Sequence, residues 1–166
     1  MKTTKKIFAA VLAVMMIALM IPFSASAVES YSAKYKLDVN TATDSDKSGD
    51  YTFSFFKIAD LDLTTGKYSS TITDTALEDA VNGTYSESKS QNILTACDTL
   101  YKNNKEAFGT ATTTISFSSA TTEATATVTD PGLYYVYCTS KPAKVTGVQS
   151  SLASPVSYTH LRAHET

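Results

Sequence analysis

The strongest strand of the chain is Leu133-Tyr-Tyr-Val-Tyr-Cys138, a run of aliphatic, β-branched and aromatic side chains. Punctuation frames it. Asp130-Pro131-Gly132 precedes it as a tight turn, with Pro at i+1 and Gly where positive φ is needed, and Lys141-Pro142 ends it. Such a strand needs partners, and period-two segments supply them. Ala33, Tyr35, Leu37 and Val39 alternate with Lys34, Lys36 and Asp38, which predicts a half-buried strand over Ala33–Asn40. Tyr51, Phe53 and Phe55 alternate in the same way, and the pattern then shifts to Phe56, Ile58 and Leu61. That shift predicts a strand over Tyr51–Asp60 carrying a bulge or buried on both faces. The polar cluster Thr43–Asp50 makes these two strands a hairpin with the cluster at its tip.

The middle of the chain changes period. Thr64-Thr-Gly-Lys67 is a turn. Thr75-Ala-Leu-Glu78 fits a capping box, and Gly83 stands where a C′ glycine would end a short helix. Ser88 or Ser90 can cap a second helix, over Gln91–Lys102, in which Ile93, Leu94, Cys97, Leu100 and Tyr101 form one apolar stripe. Asn103-Asn104 and Gly109 bound its end. Strands return at Thr114–Phe117 and at Ala124–Val128, the latter Thr/Ala-rich and suited to an edge. Strands, a helical insert and strands again favour a mainly β, antiparallel sandwich with its helices in one long connection.

The two ends read differently. Lys2, Lys5 and Lys6, the apolar run Ile7–Phe23 and the small-residue site Ala25-Ser-Ala27 have the pattern of a secretory leader. Cleavage between Ala27 and Val28 would leave a mature chain beginning near Val28, exported and with no membrane anchor of its own. Val156–Thr166 holds both His and the only Arg, and looks like one reading frame of a transposase adapter from sequencing libraries. The natural sequence is therefore expected to be cut off near Ser154, which leaves residues 28–155 as one incomplete domain. That span carries 10 Lys against 15 Asp and Glu, so it is acidic and free of Arg. With no basic cluster beyond the leader, a nucleic-acid partner is not expected. About a quarter of the chain is Ser or Thr, and only two residues are Cys, which excludes a disulfide-dense scaffold.

The combination of a leader, Tyr35-Lys-Leu-Asp-Val39, Tyr51-Thr-Phe-Ser-Phe-Phe-Lys-Ile-Ala-Asp60 and Asp130-Pro-Gly-Leu-Tyr-Tyr-Val136 resembles the N-terminal domain of Gram-positive sortase-assembled pilins. Pro142 and Val148-Gln-Ser-Ser-Leu152 are similar to that family's following loop. The resemblance spans most of residues 31–154. It implies an Ig-like/Cna-B-like β-sandwich with a short helical insertion, acting as a structural subunit of a cell-surface fimbria that mediates adhesion at the cell wall. It also implies a class C sortase and other pilin subunits as partners, and a host surface or matrix ligand. The sorting signal and the acceptor-lysine motif of such subunits are absent from this chain, as a cut near Ser154 would leave them. A secreted adhesin or carbohydrate- or matrix-binding module that does not polymerise is the alternative.

Few residues suggest chemistry. Related domains form a Lys–Asn or Lys–Asp isopeptide bond, which needs an unprotonated Lys and a nearby acid. Lys34 and Lys36 lie on the first strand, where the bonding Lys of that family lies. Alternation, however, sets them opposite the apolar positions, and Tyr137-Cys-Thr139 brings no acid where the family has one. Solvated strand lysines are the simpler reading. Asp44, Asp46, Ser48 and Asp50 match the first half of a calcium loop, but the twelfth position is Phe55, so a solvated turn is expected and no metal. Cys97 and Cys138 can make one intramolecular disulfide in an exported protein, or remain two buried thiols. There is no catalytic constellation or glycine-rich phosphate loop, so neither an enzyme nor a cofactor is expected.

Overall fold

The computed structural model describes residues 31–36, 49–118, 123–147 and 149–154. The leader with its Ala27/Val28 junction, the tail 156–166, and Asp44, Asp46 and Ser48 of the acidic loop lie outside the described residues. In chain order the elements are β1 (Tyr31–Lys36), β2 (Tyr51–Asp62), β3 (Lys67–Ser70), α1 (Thr75–Val81), β4 (Gly83–Thr84) and α2 (Glu87–Asn104). A 3-10 turn (Lys105–Phe108), β5 (Thr113–Phe117), β6 (Glu123–Val128), β7 (Gly132–Ser140) and β8 (Ser150–Ala153) follow. The fold is mainly β and antiparallel, and both helices fall in the connection between β3 and β5.

Strand β2 is the spine of the larger sheet, whose order is β4-β3-β2-β7-β8 with β5 also on β2. Along one edge β2 pairs with β7, from Thr52↔Ser140 to Asp60↔Gly132. Along the other, β5 takes its first half (Tyr51↔Phe117 to Phe55↔Thr113) and β3 its second (Ala59↔Ser70 to Asp62↔Lys67). Both edges of β2 are thus occupied, which corrects the expected hairpin of the first two strands. β1 pairs instead with β6, Tyr31↔Val128 through Lys36↔Glu123. Tyr35 still meets β2, but face to face, with its ring 5.3 Å from that of Phe55 in an edge-on contact.

The sheet is packed on both faces. On one, Phe53, Phe55, Tyr134, Val136 and Cys138 form a core with Tyr35, Ala126 and Val128 of the β1–β6 ribbon. On the other, Phe56, Ile58, Leu133 and Tyr135 pack against Leu77 and Val81 of α1, Ile93 and Cys97 of α2, and Phe108. Burying each such side chain contributes about 1.5–3 kcal/mol. The phase shift in β2 has its cause here. Register irregularities fall between Thr52 and Phe53 and between Lys57 and Ala59, so that consecutive Ile58 and Ala59 both join the helix-side core.

Local signals set the helices, with offsets. Asp74, not Thr75, caps α1, its carboxylate accepting from Leu77 N at 3.0 Å. Gly83 follows the helix at φ 100°. α2 begins at Glu87, before either expected cap, with Ser86 as its boundary. Ile93 and Cys97 are buried on it, and Leu94, Leu100 and Tyr101 are half-buried against the same core. Gly132 is needed for a different reason from the one read in the sequence. It is not among the glycines with positive φ. A Cβ there would stand 2.3 Å from Ala59 O, so the close approach of two backbones is what demands glycine. The segment expected as a loop after Pro142 ends in β8, which pairs with β7 from Tyr137↔Ser150 to Tyr134↔Ala153.

Candidate functional site

A buried polar junction forms where α2, β7 and β8 meet. Asp98 follows Leu94 by four residues and precedes Tyr101 by three, so it sits within the helix face turned to the sheet. Its Oδ1 accepts from the Tyr135 hydroxyl at 2.6 Å and from Ser150 Oγ at 2.6 Å. Tyr135 is fully buried and Ser150 nearly so. Burial, then the hydrogen bond to Asp98 and its charge, push the Tyr135 phenol far above its ordinary range. The tyrosine is therefore a fixed neutral donor. A carboxylate clamped by two O–H donors is a positioning device, and it ties the last strand of the sheet to the helix. Nothing in the sequence reading singled out Asp98. The available signal was a lone carboxylate inside an apolar helical stripe.

Aromatic rings surround this junction. Tyr101 and Tyr137 stack with centroids 4.1 Å apart and planes at 30°, both half-buried. Tyr135 and Phe108 lie behind them, with Tyr101 centroid separations of 5.8 and 5.4 Å. Nearby, an open groove of about 700 Å³ runs between α1 and α2. Its polar lining is Asp74, Asp79, Asn92, Thr95, Thr99 and Asn103. Asp74 is used as a cap, and Thr95 and Thr99 donate to the carbonyls of Gln91 and Thr95. Asp79, Asn92 and Asn103 are the side chains the groove can offer to a ligand.

Of the residues weighed in the sequence for chemistry, the two cysteines are not brought together. Cys97 and Cys138 are both buried free thiols. Cys97 belongs to the helix-side core and Cys138 to the ribbon-side core, so the sheet itself separates them. The disulfide option is not taken, because β7 points Cys138 away from α2. Burial pushes the Cys97 thiol up to about 12 and the Cys138 thiol up to about 11, which makes both poor nucleophiles. Lys34 and Lys36 occupy β1 in register with Thr125 and Glu123. Of the acidic loop only Gly49 and Asp50 are described, and no cluster of three metal-ligating side chains occurs among the described residues. Lys57 pairs with Asp60 at 2.5 Å and reaches Asp130 at 3.8 Å beside the turn that opens β7. No family model matches the chain, and neither a curated protein nor a solved structure matches it.

Proposed function

We propose that the chain is a structural subunit of a sortase-assembled cell-surface fibre, built as an Ig-like/Cna-B-like β-sandwich in which the β1–β6 ribbon is the second layer. The observation that carries this reading is the pairing of β2 with β7. Two of the phrases that resemble pilins, Tyr51–Asp60 and Gly132–Val136, are antiparallel neighbours at the centre of the sheet. Their apolar side chains are buried on both faces. A central strand pair with no wet face suits a domain that must bear load and present a surface rather than catalyse. Export would place it at the cell wall, with class C sortase and further subunits as partners.

The test is the source locus itself, read past the codon for Ser154, together with a sortase reaction. An acceptor-lysine motif and a terminal sorting signal are expected there. The chain as it stands should not be joined to an LPXTG peptide by a matched class C sortase at Lys34, Lys36, Lys67 or Lys144, because a protonated amine needs positioning to act. Attachment once the downstream segment is restored supports the reading. A locus with neither motif removes it.

The groove between α1 and α2 favours a second reading, a secreted module that binds carbohydrate or matrix without polymerising. Asp79, Asn92 and Asn103 are residue types that hydrogen-bond sugar hydroxyls. Glycan-array binding abolished by Asp79→Ala, in a chain whose locus lacks the sorting signal, would select it.

A further inference from the structure

We propose that Tyr101 and Tyr137 are an oxidative cross-linking site, where a peroxide-driven one-electron oxidant joins the two rings into a dityrosine that staples α2 to β7. The pair is set apart by geometry. At 4.1 Å its ring centroids are the closest of the aromatic pairs among the described residues. Ring centres at that distance are already about as far apart as in a directly bonded biaryl. Rotation about χ2, the softest Tyr torsion, is the adjustment that brings ortho carbons together. Both rings are half-buried, so each keeps an edge open to an oxidant.

The step balances. Each phenol gives up one electron and its hydroxyl proton, the latter to water. The two phenoxyl radicals form one ortho–ortho carbon bond. The two ring hydrogens displaced there return to the phenol oxygens as the rings become aromatic again. Two electrons and two protons leave the protein, and one hydrogen peroxide is reduced to two waters. The Tyr101 phenol is held above its ordinary value by burial and by the neighbouring Tyr137, so this ring begins neutral and its oxidation carries the proton with it.

Competing tyrosines are placed less well. Tyr135 is fully buried, with its hydroxyl committed to Asp98. Tyr85 is exposed, but its nearest ring, Tyr68, is 6.1 Å away, edge-on and buried. Among the described residues no second exposed tyrosine ring stands beside Tyr85. Oriented groups in one molecule react with effective concentrations of about 10⁵ M or more, against micromolar protein in solution. Coupling within the Tyr101–Tyr137 pair therefore wins. The inference does not depend on the fibre reading.

The experiment treats the full chain at micromolar concentration with a haem peroxidase and hydrogen peroxide. The expected product is a monomer lighter by two hydrogen atoms, fluorescent as dityrosine, with a tryptic cross-link joining the peptides of Tyr101 and Tyr137 and a raised melting temperature. Tyr101→Phe and Tyr137→Phe each keep the ring packing and should each abolish the monomer fluorescence, with unchanged far-UV circular dichroism. Dityrosine confined to dimers, a monomer link at any other tyrosine, or monomer fluorescence that survives in either variant overturns the proposal. So does exhaustion of the peroxide with both rings unmodified.

Discussion

The Tyr135 hydroxyl and Asp98 Oδ1 are 2.6 Å apart, which fixes the centre of the sheet to α2 through a single carboxylate. Ser150 shares that oxygen, so one side chain holds three elements. Asp98→Ala should destabilise the protein by about 2–4 kcal/mol, since it removes two charge-assisted hydrogen bonds from buried donors. Tyr135→Phe, which leaves the carboxylate its Ser150 partner, should cost about 1–2 kcal/mol. Urea unfolding of both single variants and the double variant measures the coupling. Costs that add with no interaction energy would mean the bond contributes nothing.

Gly132→Ala tests the close approach of β2 and β7 at this glycine. The new Cβ would meet Ala59 O at 2.3 Å and Lys57 Cε at 3.0 Å. The lysine can move, but the carbonyl belongs to the β2–β7 ladder. The expected loss is about 3 kcal/mol, at the upper end of overpacking costs. Gly66→Ala is the control, since nothing lies within 4 Å of its Cβ and only its φ of 69° is unfavourable. It should cost about 1–2 kcal/mol. Equal thermal shifts for the two would argue that conformation, not contact, selects glycine at position 132.

The start of α1 gives a separable pair. Asp74→Ala should lower stability by about 1 kcal/mol, because its carboxylate satisfies the Leu77 amide. Thr75→Ala at the exposed first turn should be nearly neutral. Chemical denaturation of the two variants distinguishes them, and the reverse order would place the cap at Thr75.

These residues mark how far the sequence could be read. Runs that are apolar on both faces, such as Leu133–Cys138, and a helical stripe such as Ile93, Cys97 and Tyr101 identify their own elements, because the period is a local property. The partner of a strand is not local. Val39 and Tyr51 are close in sequence and invite a hairpin, yet β2 spends both edges on β3, β5 and β7, which leaves β1 to β6. β8 is only four residues with two serines, so its identity comes from β7 and Asp98 rather than from its own pattern. Cap positions slipped because Asp74 and Thr75 both qualify chemically. The role of Gly132 depends on where Ala59 lies, which no turn rule contains.

The thiols should behave as core residues. Neither Cys97 nor Cys138 should react with an alkylating reagent in the native protein, and both should react after denaturation. Mild oxidation of the folded monomer should not join them, since the sheet stands between them. A mass spectrum with a Cys97–Cys138 bridge in native, monomeric protein would contradict the placement of Cys138 on the ribbon side.

Stability should be lost steeply in alkali. Burial pushes the Tyr35, Tyr51 and Tyr134 phenols from 10.0 up to about 12, and holds Tyr68 and Tyr135 above their ordinary value as well. For an acid whose folded pKa is raised, the unfolded chain loses its proton first. The stabilisation is therefore complete below the unfolded pKa and falls as pH rises through the interval between the two. Cys97 and Cys138 begin this loss at 9.0 and the tyrosines at 10.0. Each group removes about 1.4 kcal/mol per pH unit inside its interval. Several such groups lose their contribution together above pH 10, so the summed loss is comparable with the whole stability of a domain this size. The chain should stay folded to about pH 9 and unfold cooperatively before about pH 12. Tyrosinate absorbance should rise together with the loss of far-UV circular dichroism. Ionisation of most tyrosines near pH 10 with the fold intact would show that the rings are open to solvent and the two-faced core is wrong.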